Sequence, residues 1–561
     1  MSVPPTRPRS RTSRKRWSAS SASSRRCDLP VIAERPARTR YEPVIGIEIH
    51  VQLRTASKMF CGCSTDSVEA PPNTLTCPVC LAMPGTLPVI NRRAVEHVLA
   101  TGLALEAEIP EVTRWDRKNY FYPDLPKSYQ ISQYDLPLSA RGRLTFDTSE
   151  GPVIVSITRA HLEEDTARLI HQPGADGQRV SLVDFNRSGV PLMEVVTEPE
   201  LHSAEAARRY AEELRMLLLA IGASDAAMEN GQMRVEANVS LRERGTEPFG
   251  TRVEVKNMNS FRSVERAIEF EIDRQAQALD AGEPLSQETR GWDDARGVTY
   301  TMRSKEDSHD YRYFPEPDLP PLRPDRAWLE RIRAGLPELP AARRARYRDE
   351  VGLSAYDAAV LAGDAGAVAL FESARNADPG LSAKRIANWV TGEYLRLAKG
   401  AGPESTTSAT RADGVQLARL VRLVEEGAIS GTNGKQVLER HVATGEAVDA
   451  IVKELGLAQI SDERPLVAAI DDVVAANPTA VSDLLAGKTQ VLGFLTGQVM
   501  KATRGQANAA KVRELLERRL ASGAQGPTEG APAGSTGDDP GSTGGPLGST
   551  GDDPGSIGSR D

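Results

Sequence analysis

Several kinds of protein are excluded by what this 561-residue chain lacks. It has no run of about eighteen apolar residues, so no transmembrane helix is expected. No short apolar stretch follows its basic start, which argues against a secretory signal. It has no credible phosphate-binding loop. Ala486–Thr489 (AGKT) has a suitable ending, but Ser482 stands where the first glycine is needed, and the stretch follows a helical pattern. Gly431–Gln436 ends in GKQ and lacks the hydroxyl. Cysteine is scarce, at five residues, and without a signal peptide disulfides are not expected. A net charge of -8 excludes a histone-like polycation, though local basic patches can still bind RNA. Hydrophobic content of 40% and charged content of 26% are ordinary for a globular chain, and the length suggests three or four domains.

Four of the five cysteines are close together: Cys61 and Cys63 as C-x-C, Cys77 and Cys80 as C-P-x-C. Two short-spaced pairs suit tetrahedral thiolate ligation of zinc. The alternatives are reduced thiols or two disulfides. A closed four-thiolate site leaves no position for water, so its role would be structural. Cys27 has no partner in sequence.

Asp116–Asp135, DRKNYFYPDLPKSYQISQYD, is the densest stretch of amphipathic side chains. It has neither helical period nor clean alternation, and Pro123 and Pro126 forbid a long helix. So many side chains with an apolar body and a polar tip favour a binding segment over the alternative, a structured tyrosine-rich loop that only covers a core. Glu48 and His50 alternate along an expected strand, Val44–Leu53, and share a face that Gln52 continues. Glu163, Glu164 and Asp165 form an acidic triplet after a short β-run, and Glu229 and Glu236 flank another. Carboxylates and an imidazole converging from separate strands would make a site for a hard cation.

Residues 1–40 are rich in Arg, Ser and Pro, and read as a disordered extension, or as the product of a start codon assigned too far upstream, in preference to an organellar transit peptide. From 41 to about 323 short β-runs (Val153–Thr158, Val235–Leu241, Arg252–Lys256) alternate with helices, of which Ala204–Leu219 is clearly amphipathic. That pattern predicts an α+β fold with a largely antiparallel sheet. Residues 324–399 read as all-helical, with Leu361–Ala374 and Lys384–Leu397 as good examples; 400–413 is a linker by composition; 414–520 is helical again. Residues 521–561 repeat GSTGDDPGS and cannot bury enough apolar surface to order a fold. Alanine- and arginine-rich usage fits a high-GC bacterium.

Ordered motifs along 41–520 resemble the B-type subunit of the aspartyl/glutamyl-tRNA amidotransferase family. They are IGIEIHVQL at Ile45–Leu53, CPVCLAMPGTLPVIN at Cys77–Asn91, the tyrosine-rich run itself, ITRAHLEEDTARL at Ile157–Leu169, LVDFNRSGVPLMEVVTEPE at Leu182–Glu200, VEVKNMNSF at Val253–Phe261, DYRYFPEPDLPPL at Asp310–Leu322 and GFLTGQVMKATRGQAN at Gly493–Asn508. The resemblance implies a catalytic cradle similar to the glutamine synthetase fold, a helical domain and a helical tail that contacts tRNA. It implies that ATP phosphorylates the side-chain carboxylate of a mischarged Glu-tRNA(Gln) or Asp-tRNA(Asn), and that ammonia then displaces phosphate.

The implied magnesium site uses positions matching His50, Glu163 and Glu164, with Glu48 nearby and Glu229, Glu236 and Glu254 as weaker candidates. Lys118, Lys127, Arg159, Arg187, Arg234 and Lys256 fall within the matching motifs and are expected to meet ATP phosphates or the tRNA terminus. Tyr120, Tyr122 and Tyr129 are expected to hold a terminal adenosine by stacking. In the tail, Lys488, Lys501, Arg504, Lys511 and Arg513 are expected on tRNA phosphates. The chain shows no Gly/Ser-rich amidase signature with a catalytic lysine, so the family's A-type glutaminase subunit would release ammonia into a polar tunnel, with the small C-type subunit joining the two. The expected location is the bacterial cytoplasm. Competing readings are a zinc-stabilised tRNA adaptor and a stand-alone ligase for a small acid; the long helical appendage after Gly400 argues against the second.

Overall fold

The computed structural model describes residues 40–67, 69–174, 176–304, 311–400, 411–459, 463–503 and 506–523. The basic extension, the low-complexity tail and most of the expected linker lie outside the described residues. The described residues of Met1–Glu372 and Ser382–Ala409 form one compact unit, and those of Ser373–Leu381 and Thr410–Asp561 form another. No helix among the described residues is long and apolar enough to cross a membrane.

The first unit is built, among the described residues, on thirteen strands. They are β1 (Tyr41–Gln52), β2 (Asp116–Asn119), β3 (Tyr129–Ser132), β4 (Ser139–Thr148), β5 (Gly151–Glu164), β6 (Arg168–Pro173) and β7 (Arg179–Asp184). There follow β8 (Pro191–Thr197), β9 (Met233–Glu243), β10 (Val253–Met258), β11 (Glu288–Asp293), β12 (Val298–Ser304) and β13 (Phe314–Pro315). Eight strands form one sheet in the order β12-β11-β10-β9-β1-β8-β5-β4. Of its pairings among the described residues, only β10–β11 is parallel. Strands β13, β2 and β3 form a small second sheet, and β6–β7 a separate hairpin.

Strict alternation gives the large sheet two unlike faces. Ile45, Ile47, Ile49 and Val51 of β1, with Val235, Ala237 and Val239 of β9, are buried in the core. Helices α1 (Arg92–Ala104), α2 (Ala204–Ala220) and α3 (Phe261–Asp280) contribute to that same core through Val95, Val98, Leu99, Leu214, Leu218, Val264 and Ile268. Each helix is started by a side chain that accepts from a free backbone N–H: Asn91, Ser203 and Ser260. Because the apolar side chains of β1 and β9 all face the helices, the intervening polar residues are gathered on the opposite face.

Two local readings differ from the sequence pattern. The tyrosine-rich run is not a loop throughout, because Asp116–Asn119 and Tyr129–Ser132 pair as an antiparallel hairpin. Gln130, Ile131 and Ser132 are all buried, so the inside-outside alternation that would have marked a strand is absent. The acidic triplet does not follow a short β-run; β5 continues through Glu164. Among the described residues beyond 324 the secondary structure is helical, although the alanine-rich stretch is split into Ala355–Ala362 and Ala365–Ala377 at Gly363, and Trp389–Tyr394 is a π-helical turn.

The second unit contains helices Gly414–Glu425, Gly431–Thr444, Val448–Glu454, Glu463–Ala476, Pro478–Leu485, Gln490–Ala502 and Ala509–Gly523. Leu466, Ile470, Leu492, Leu495, Val499, Val512, Leu515 and Leu516 form one of its cores.

Candidate active site and thiolate cluster

The polar face of the large sheet draws its residues from neighbouring strands in register. His50 pairs with Glu194 on one side and Arg234 on the other, and Glu48 pairs with Val196 and Glu236. His161 lies opposite Glu194 on β5. The result is a group in which His50, Glu163 and Glu194 each offer one ligand atom within 4.8 Å of the others. His50 Nε2 is 3.3 Å from Glu194 Oε2 and 3.7 Å from Glu163 Oε1. His161 Nε2 stands 3.4 Å from Glu194 Oε2. Glu48, Glu236 and Glu254 make a second such group on the same face. There Lys256 Nζ is 2.7 Å from Glu236 and 3.1 Å from Glu254.

The electrostatics follow from burial set against close charge. Burial lowers the His50 imidazole, but the hydrogen bond and charge of Glu194, with Glu163 and Glu236, outweigh it and raise it to about 9. Burial wins at His161, which is lowered despite the same carboxylates. Burial would raise the Glu194 carboxyl, yet His161, His50 and Lys118 hold it well below the usual range. Glu48 is raised by burial, then by Glu194 and Glu236. Burial opposes the charge of Lys118, but Glu163, Tyr313 and Glu194 raise it further. One imidazole and two carboxylates, crowded together with the buried His50 Nδ1 lacking a hydrogen-bond partner, suit a divalent cation better than they suit one another.

Glu164 is not in this group. Consecutive strand residues face opposite sides, so Glu163 and Glu164 cannot both join His50 and Glu194. Glu164 accepts from Lys127 Nζ at 2.6 Å and from the Ile131 amide at 2.9 Å. Lys127 and Tyr129 are beside it, where Lys127 Nζ lies 5.7 Å from the Tyr129 ring centre. Arg159 reaches within 3.7 Å of Glu194. Arg187 donates to the Thr166 and Ala167 carbonyls, and Arg234 to Asp165. Glu229 is exposed in the turn before β9.

Tyr120 joins an aromatic group with Tyr311, Tyr313 and Tyr134; the last two rings stack at 4.4 Å, and Lys118 lies over Tyr311. Tyr122 is exposed apart from it. Sequence reasoning missed Glu194, His161, Tyr311 and Tyr313. Glu194 carried a usable signal, as the single charge in the apolar run PLMEVV; His161 alternates with Glu163.

The four cysteines do converge, as free thiols with their sulfurs mutually within 4.8 Å. The Cys77 amide donates to Cys80 Sγ at 3.1 Å. Cys80 is lowered to about 4 by hydrogen bonding from Cys61, against the effect of burial and with help from Lys58. The compact sulfur tetrad fits a zinc-type ion. In the second unit Lys488 pairs with Asp483, Lys511 with Glu463, and Arg513 with Glu517. Lys501 is exposed, with no ion-pair partner among the described residues. Arg504 lies outside them.

Comparison with known proteins agrees with this layout. Residues 43–330 match the family model of the GatB/GatE catalytic domain, and residues 369–520 match that of the GatB domain. The chain is 51% identical over 480 residues to the B-type subunit of the aspartyl/glutamyl-tRNA(Asn/Gln) amidotransferase of Moorella thermoacetica, covering 86% of this chain and 100% of that protein. It is 49% identical over 481 residues to the protein of the same name from Carboxydothermus hydrogenoformans, covering 86% and 99%. It is 51% identical over 483 residues to that of Anaeromyxobacter sp. strain K, again covering 86% and 99%. With both domain models matched in order and relatives covered almost end to end, the chain belongs to the GatB family, the B-type subunits of aspartyl/glutamyl-tRNA(Asn/Gln) amidotransferase.

Proposed function

We propose that this chain is the carboxylate-activating component of a tRNA-dependent amidotransferase, a carbon–nitrogen ligase that converts Glu-tRNA(Gln), Asp-tRNA(Asn) or both to the amide. The observation that carries the reading is the polar face of the large sheet: His50, Glu163 and Glu194 converge there, with Arg159 and Lys256 along it and Lys118, from β2 of the small sheet, beside Glu163 and Glu194. A magnesium ion held by His50, Glu163 and Glu194, when bound, would neutralise phosphate oxygens of ATP. Lys118, Arg159 and Lys256 orient the anionic phosphates. The aromatic group of Tyr120, Tyr134, Tyr311 and Tyr313 offers a stacking surface for an adenine ring.

The substrate's side-chain carboxylate oxygen attacks the γ-phosphorus, and the bond to the β-phosphate oxygen breaks, releasing ADP. The acyl phosphate is then open to ammonia, whose lone pair attacks the carbonyl carbon as phosphate departs. Positioning and fixed charge account for the rate advantage. Ammonia comes from glutamine through the A-type glutaminase partner, joined by the small C-type partner, in the bacterial cytoplasm. Cys61, Cys63, Cys77 and Cys80 hold a structural zinc ion. Residues 41–323 serve as the catalytic cradle, 324–399 as a helical domain, and 414–520 as the tail that meets tRNA.

The test is an assay of the reconstituted complex with each mischarged tRNA, radiolabelled ATP and glutamine. Labelled ADP and amidated tRNA are expected with the intact chain and are lost with Glu163→Gln. ATP turnover unchanged in that variant would overturn the reading.

A further inference from the structure

Lys58 lies under the thiolate cluster and is 1% exposed. Its ammonium donates to Cys80 Sγ at 3.7 Å and to the Phe185 carbonyl at 3.2 Å. Among the described residues no carboxylate stands within ion-pair distance of it. A buried ammonium without a counter-anion is costly, so an anion is required nearby, and the sulfur tetrad is the one at hand. Four thiolates around a divalent ion carry two surplus negative charges; one ammonium offsets half of them.

The same side chain reaches the segment that follows β7. The Met59 amide donates to the Gly189 carbonyl at 2.7 Å. Gly189 has φ +82°, and a Cβ there would be in ordinary contact with Lys58 Cδ at 3.7 Å and Cys80 Cβ at 3.8 Å, so its backbone lies beside both. Asn73 and Asn186 stitch the cysteine-bearing loop to the same segment: the Phe185 amide donates to Asn73 Oδ1 at 2.7 Å, and the Leu75 amide to Asn186 Oδ1 at 2.8 Å. Within this segment Arg187 Nε is 3.6 Å from Asp165, two residues beyond Glu163.

We propose that Lys58 is a positioning residue that balances the charge of the metal-loaded thiolate cluster and, through the Phe185 carbonyl, couples its loading to the order of the 185–189 loop. The proposal rests on the zinc reading above. Groups that hydrogen-bond to metal ligands tune affinity and ligand basicity, and their removal typically costs about tenfold or more in affinity.

The test uses the full chain loaded with Zn2+ or Co2+, as wild type, Lys58→Met and Lys58→Arg. In Lys58→Met, zinc loss to a colorimetric chelator should be about tenfold faster. The sulfur-to-cobalt charge-transfer band should move to longer wavelength, since the thiolate loses a hydrogen-bond donor. Hydrogen exchange should rise at the amides of residues 185–189 and rise equally when wild type is stripped of metal. Lys58→Arg should restore the band. If wild type takes up no metal, the zinc reading falls and this proposal with it. If wild type binds one ion per chain while Lys58→Met keeps the wild-type band, loss rate and exchange pattern, the role of Lys58 alone is overturned.

Discussion

Glu163 and Glu164, neighbours at the end of β5, serve opposite faces of one strand: Glu163 is 3.7 Å from His50, whereas Glu164 is bound to Lys127 and the Ile131 amide. Their neutral variants should therefore fail differently. Glu163→Gln is expected to weaken Mn2+ binding, used as the spectroscopic probe for the cation, by about tenfold or more with little change in folding. Glu164→Gln leaves the partly buried Lys127 without its charge partner and should cost about 2 kcal/mol of stability while Mn2+ binding persists. Manganese titration by electron paramagnetic resonance and urea unfolding separate the two.

Glu194 is held between His50 and His161. Glu194→Gln should lower Mn2+ affinity by an amount similar to Glu163→Gln. Because both carboxylates serve one group, the double variant should lose less than the sum of the two. Additive losses would place them at separate sites.

Protons and cations compete for His50. Its imidazole is raised to about 9 by Glu194, Glu163 and Glu236 against the effect of burial. The proton must leave before the ring can ligate, so apparent Mn2+ affinity should climb from about pH 7 to about pH 9, by at most about tenfold per pH unit, and level off above. Titrations at stepped pH measure the slope, which His50→Ala should remove.

Glu271, on α3, is fully buried and accepts from Arg274, Gln275 and Thr299, with Arg290 at 3.6 Å. Glu271→Ala leaves Arg274 and Arg290 with Glu288 as their shared carboxylate and takes a buried acceptor from Gln275, and should cost about 3 kcal/mol, read by urea unfolding of the first unit.

In the second unit Lys501 is exposed without an ion-pair partner among the described residues, whereas Lys511 is paired with Glu463. Lys501→Ala should weaken tRNA binding and reduce the slope of log affinity against log salt by about 1; Lys511→Ala should change it less. Binding measured at several salt concentrations distinguishes them.

Alternation and spacing already placed Glu48 and His50 on one strand face, grouped the four cysteines and marked α2, because each of these depends on periods of two or 3.6 or on short loops. Applied strictly, the same period would have parted Glu163 from Glu164. The β2–β3 hairpin was hidden because three consecutive residues of β3 are buried, which removes the alternation that marks a strand.

The sequence by itself determined the helix and strand character of most segments, the grouping of four cysteines and, through its ordered motifs, the family. Only the tertiary structure decided which charges meet. Glu194 faces His50 because β8 pairs with β1, and Tyr311 faces Tyr120 across nearly two hundred residues. Sheet order and register are set by the packing of the whole core, so no local window of sequence contains them.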